Sequence, residues 1–116
     1  MLERTIEAYL VNECKARGCL CIKMGFYNGI PDRQVLLPTG ESVFVELKQP
    51  DGRLSLVQKA VIKRLRGMNH LVFIAYNYED VNDVLDVVDK KIIAWNEALR
   101  KKLVANWKPE GGDDCA

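Results

Sequence analysis

The sequence predicts an α/β fold, a mixed β-sheet flanked by helices, on three observations. Two runs rich in β-branched and aromatic residues, Val43-Phe44-Val45 and Leu71-Val72-Phe73-Ile74-Ala75, read as strands. Segments with apolar residues at helical spacing precede, separate and follow them. Gly and Pro clusters fall between these segments, where a chain that alternates helices with strands must turn. The resulting order is helix, three strands, helix, strand, and two further helices, an arrangement that covers a sheet on its faces. With 116 residues the chain has length for one core and one domain, residues 1–108.

Residues 3–17 read as the first helix, with Ile6, Leu10 and Cys14 on one stripe and Gly18 placed to end it. Glu7 lies at the edge of that stripe. Residues 19–23 form a first strand, and Gly25 to Gly29 is a turn-rich stretch containing Phe26, Tyr27 and Asn28. Residues 33–37 form a second strand, joined to a third at 42–48 through Pro38-Thr39-Gly40-Glu41. Gln49-Pro50-Asp51-Gly52 breaks the sheet, and a helix over 56–66 ends at Gly67, read as its C′ residue. Residues 71–75, the most apolar run, read as a central strand. Helices over 79–90 and 93–106 follow, and the Gly- and Asp-rich tail 109–116 reads as disordered.

The apolar fraction of 48% and charged fraction of 28% are those of an ordinary globular protein. No apolar run approaches the roughly 20 residues of a membrane span. Met-Leu-Glu-Arg-Thr carries an acid where a signal peptide carries base, so the expected location is cytoplasmic. Cys14, Cys19, Cys21 and Cys115 lack the paired spacing of a zinc site and read as core thiols. The net charge of +1 argues against indiscriminate coating of nucleic acid, but the charges are segregated. Arg53, Lys59, Lys63, Arg64 and Arg66 fall in an acid-free stretch, 53–78, which suits a polyanionic substrate as well as a solvated helix face.

The chemistry concentrates in Pro31-Asp32 and Glu46-Leu47-Lys48. Alternation along a strand puts Glu46 and Lys48 on one side, about 6–7 Å apart. A core strand would carry apolar residues at both positions, since burying unpaired charge costs several kcal/mol. Asp32 enters the neighbouring strand at the same end, so its carboxylate can converge on Glu46. Two carboxylates and an ammonium can hold a hard divalent cation and face a phosphate. On spacing alone, a metal-dependent phosphodiesterase and a solvated ion-pair cluster both fit. His70, the only histidine, reads as a turn residue, and Trp95 and Trp107 as packing or interface anchors.

Gly29-Ile30-Pro31-Asp32-Arg33, Phe44-Val45-Glu46-Leu47-Lys48 and Ser55-x-x-Gln58 together resemble the VRR-NUC group of PD-(D/E)XK nucleases, over roughly residues 3 to 90. The short chain resembles the stand-alone phage and bacterial forms, which implies a restriction-endonuclease-like core in the cytoplasm of a bacterial or phage-infected cell. The resemblance implies Mg²⁺ or Mn²⁺ held by Asp32, Glu46 and the Leu47 backbone carbonyl, with Glu7 as an additional or water-mediated ligand. Lys48 would position or deprotonate the attacking water, or neutralise charge on the phosphate. Gln58 would turn toward the metal-site water or the phosphate, although Ser55-Leu56-Val57-Gln58 is equally a capping box. Lys23 and Arg33, with Arg53, Lys59 and Lys63 on the basic segment, are the candidate DNA contacts. The implied activity is a homodimeric endonuclease that cuts four-way DNA junctions and leaves a 5′-phosphate. The alternatives are a branched-DNA-binding module that does not cut, a nuclease without junction selectivity, and a sequence-specific restriction-type enzyme.

Overall fold

The computed structural model describes residues 2–106. Its elements run α1 (Glu3–Ala16), β1 (Leu20–Lys23), β2 (Arg33–Leu36), β3 (Ser42–Leu47), α2 (Leu56–Gly67), β4 (Leu71–Ala75) and α3 (Tyr78–Asn106). The sheet order is β1-β2-β3-β4, antiparallel between the first three strands and parallel between β3 and β4. The antiparallel pairs need only short turns, whereas the parallel pair needs a crossover, supplied by α2. This is the mixed sheet flanked by helices expected of the sequence.

One face of the sheet lies under α1 and α3. Ile6, Leu10 and Cys14 from α1 meet Val81, Val84, Leu85 and Val88 from α3 over Val35, Val43, Val45 and Leu47. Each of these side chains contributes about 1.5–3 kcal/mol by leaving water, which makes this layer the main source of stability. Polar pairs align the two helices at their rim: Arg17 Nε donates to Asp89 Oδ1 at 2.7 Å and the Tyr9 hydroxyl to Asn82 at 2.7 Å. The opposite face lies under α2 and is smaller, with Ile62 and Leu65 on Phe44 and Val72. Cys14 and Cys19 are buried free thiols and Cys21 is half-buried, as core thiols should be.

Three expectations are corrected. The segment read as two helices is one, α3, because nothing in Lys90-Lys91-Ile92 breaks it; Lys91 instead ties α3 to Glu41 at 2.8 Å. The run Leu71–Ala75 is an edge strand, and its apolar character reflects burial between helix layers, as in parallel strands generally. Gly67 is helical; α2 is capped at Met68, and Asn69, with φ of 69°, takes the left-handed conformation that reverses the chain. His70 is a turn residue as read, its ring edge-on to Phe44 at 5.6 Å. Trp107, Cys115 and the tail 109–116 lie outside the described residues. Among the described residues no helix is long and apolar enough to cross a membrane.

Candidate active site

Strand alternation builds the site. Val43, Val45 and Leu47 point into the α1–α3 layer, so Phe44 and Glu46 face α2. The register pairs Arg33 with Val45, and one step further along the same ladder brings Asp32 opposite Glu46. The two residues are stitched reciprocally. Leu47 N–H donates to Asp32 Oδ2 at 2.8 Å, and Asp32 N–H donates to Glu46 Oε1 at 3.2 Å.

The loop that delivers Asp32 is held at several points. Met24 N–H donates to the Asp32 carbonyl at 2.8 Å, and Pro31 is fully buried. Gly29 has φ of +86°, and a Cβ there would lie 2.7 Å from Val57 Cγ1 and 2.9 Å from both Val57 O and Val61 Cγ2. Glycine is therefore needed twice over, for its conformation and for the close approach of α2.

Glu46 is the unusual member. Its residue exposure is 2%, yet it is a carboxylate. Oε2 accepts a hydrogen bond from Gln58 Nε2 at 3.1 Å and lies 3.8 Å from Lys48 Nζ. Burial, then the charge of Asp32, push the Glu46 carboxyl up to about 7, against the opposing pull of Lys48 and of the Asp32 N–H. Gln58 caps its helix and also reaches the carboxylate pair, through Glu46. Its Oε1 accepts from Ser55 N–H at 2.9 Å while Ser55 Oγ accepts from Gln58 N–H at 3.1 Å, completing the capping box. Its Nε2 is thereby aimed at Glu46.

Asp32, Glu46, Lys48 and Gln58 come together; Glu7 does not join them. Glu7 Oε2 lies 2.8 Å from Arg33 Nε, and Arg33 Nη1 also donates to the Cys21 carbonyl at 3.3 Å. Arg33 is thus engaged inside the fold, while Lys23, its register partner on β1, is exposed. Arg53, Lys59 and Lys63 are exposed, the last two one turn apart on α2. Glu3 escaped the sequence reading although its charge acts on Glu46. With Leu2, Arg4, Glu7 and Gln49 it lines a cleft of about 350 Å³. The available signal was the i, i+4 spacing of Glu3 and Glu7, which puts two acids on one side of α1.

Among the described residues no group of three or more Asp, Glu, His or Cys is placed to hold a metal ion. The donor set is a pair of carboxylates, and it still fits a hard divalent cation. A buried carboxylate and a half-buried one face each other with one lysine beside them, and burial followed by the charge of Asp32 disfavours the ionised Glu46, which a cation there would favour. Oxygen donors of this kind select Mg²⁺ or Mn²⁺ over softer metals.

No family model matches the sequence. A protein of Acyrthosiphon pisum secondary endosymbiont phage 1, named "Putative nuclease p44", is 34% identical over 89 residues, covering 75% of this chain and 95% of its own. A solved structure described as "VRR_NUC domain" superposes with a TM-score of 0.67 at 26% identity, over 72% of this chain and 94% of that one. Similarity that spans nearly the whole length of both relatives, in sequence to the first and in fold to the second, places this chain in the VRR-NUC family of nucleases.

Proposed function

We propose that this nuclease is a Mg²⁺- or Mn²⁺-dependent DNA endonuclease selective for branched structures, a four-way junction resolvase acting as a homodimer, with residues 1–108 as its single catalytic domain. The observation that carries the reading is the buried Glu46 carboxylate paired with Asp32 beside Lys48, a cluster that costs stability and that a catalytic role accounts for.

In this reading Asp32, Glu46 and the Leu47 carbonyl hold the cation, with Glu7 reaching it through water. When bound, the cation supplies charge to a phosphoryl oxygen and a more acidic water. Lys48, its side chain only 18% exposed, keeps a fixed positive charge beside the scissile phosphate and orients the attacking water. Gln58 holds the Glu46 carboxylate in place. Water attacks phosphorus, the bond to the 3′ oxygen breaks, and the products are a 5′-phosphate and a 3′-hydroxyl. Lys23, Arg53, Lys59 and Lys63 follow the phosphate backbone, while Arg33 acts by positioning Glu7.

Two-fold symmetric cutting needs two identical sites. Support for a dimer comes from the outer part of α3, where Ile93, Trp95, Leu99 and Leu103 are 41–59% exposed. The test is a gel assay of wild-type and Lys48→Ala protein on a labelled four-way junction and a matching linear duplex, with Mn²⁺ or EDTA. Paired symmetric nicks in the junction, dependent on Mn²⁺ and lost in the variant, are expected. Binding without cleavage in any metal would leave a branched-DNA-binding module, and equal cutting of both substrates would remove the junction selectivity.

A further inference from the structure

The loop that ends at Asp32 carries at its tip the most exposed aromatic ring of the described residues. Phe26 is 81% exposed and its neighbour Tyr27 59%. This tip is not a loose excursion. Met24 and Asp32 close its base, Ile30 N–H donates to the Tyr27 carbonyl at 3.1 Å, and Gly29 seats it against Val57 and Val61 of α2. Leu56, 83% exposed, stands at the start of α2, the helix that Gly29 touches. Along α2, which this loop touches, the charge is of one sign. Tyr27 shares a groove with Lys63 and Arg64, Lys59 is exposed one turn before Lys63, and the sequence from 53 to 78 contains no acid.

An aromatic tip beside a cationic helix complements a ligand that is both polyanionic and able to offer an apolar π-face. Nucleic acid fits, but only where bases are not already stacked on both sides. In a continuous duplex the faces are covered; at a branch point, nick or flap they are open. Aromatic side chains engage such bases by stacking or by wedging between them, without regard to sequence. We infer that Phe26 and Tyr27 form a stacking tip that engages exposed bases at a DNA branch point and so confers structure selectivity on the site that begins at Asp32. This inference rests on the proposed nuclease reading for its substrate, and adds to it the element that distinguishes branched from linear DNA.

The test titrates the full chain, in EDTA at low salt, into a four-way junction carrying 2-aminopurine beside the branch point, and into a linear duplex of the same sequence. The double variant Phe26→Ala/Tyr27→Ala should lower the junction-to-duplex affinity ratio about tenfold and abolish the 2-aminopurine fluorescence change. Phe26→Trp should retain both. Leu20→Ala removes a 61% exposed apolar side chain on β1 and controls for lost surface hydrophobicity; it should leave the ratio unaltered. A double variant with wild-type ratio and fluorescence overturns the inference. So does a loss of affinity that accompanies conversion of a dimer to a monomer in sedimentation, since the tip would then be a protein contact. Cleavage in Mn²⁺ is scored separately. Wild-type protein that cuts nothing defeats the nuclease reading while the fluorescence titration still decides the role of the tip.

Discussion

The two faces of β3 are equally dry and chemically opposite. Toward α1 and α3 stand Val43, Val45 and Leu47, each at most 1% exposed; toward α2 stand Phe44 at 7% and Glu46 at 2%. The first face gains free energy from dehydration, by roughly 25 cal/mol for each Å² of apolar surface removed from water. The second loses it, because Glu46 surrenders its hydration beside another carboxylate and gains only a lysine at 3.8 Å and two hydrogen bonds. One strand therefore separates the work of holding the fold from the work of the site. The larger α1–α3 layer supplies most of the apolar burial, and the smaller layer under α2 contains the costly carboxylate.

Opposite substitutions on the two sides should break activity and stability separately. Asp32→Asn keeps an oxygen for the Leu47 N–H but removes the charge, so single-turnover cleavage should fall about 10³-fold, a loss at the upper end for one electrostatic contact, with the melting temperature held or raised. Val45→Ala leaves a cavity under α1 and α3 and should cost about 2–3 kcal/mol, lowering Tm by roughly 10 °C or more, while the cleavage rate of the folded fraction stays within a few fold. An Asp32→Asn protein that melts early, or a folded Val45→Ala protein that no longer cuts, would show that the two faces are not separable.

The pH dependence sharpens the same contrast. Glu46 has a folded pKa of about 7 against an ordinary carboxyl near 4.5, so folding favours its protonated form. Its contribution to stability is fully present below about 4.5 and is lost as pH rises through 7. In EDTA, Glu46→Gln, which mimics the protonated acid, should exceed wild type by about 3 kcal/mol at pH 8, and the gap should close by about pH 4.5. Urea denaturation across that range measures it. Mn²⁺ should raise the wild-type Tm at pH 8 and leave that of Glu46→Gln nearly unmoved. A gap that is independent of pH would mean that Glu46 is not held in a carboxylate-hostile site.

What the sequence made legible was whatever strand alternation and turn chemistry determine locally. Glu46 stood out because a carboxylate occupies a core position of an otherwise apolar run, and Asp32 because the hairpin returns it to the same end. The edge placement of β4 was not legible, since a strand covered by α2 and α3 is as apolar as a central one. The continuity of α3 was hidden by the charge change near Lys90, which alters the helix surface without breaking its backbone. The Glu7–Arg33 pair joins residues 26 positions apart on different elements, and no local pattern reports such a contact. Gln58 posed a choice between cap and site that its amide does not have to make, because its two ends serve different partners.

That double role of Gln58 yields the smallest expected effect, and it separates the two contributions within one side chain. Ser55→Ala removes the cap hydroxyl and should cost about 1 kcal/mol of stability with cleavage nearly unchanged, because Gln58 Nε2 can still reach Glu46. Gln58→Ala should cost a similar amount of stability but lower cleavage about tenfold. It should also move the pH–rate profile. The Nε2 hydrogen bond favours the ionised form of Glu46, so its removal raises the Glu46 pKa further and shifts the acidic limb of the profile to higher pH. Ser55→Ala leaves that bond in place and should not shift the limb. If both variants displace the profile equally, the amide acts on Glu46 only by holding α2 in position; if only Gln58→Ala does, the hydrogen bond itself tunes the carboxylate.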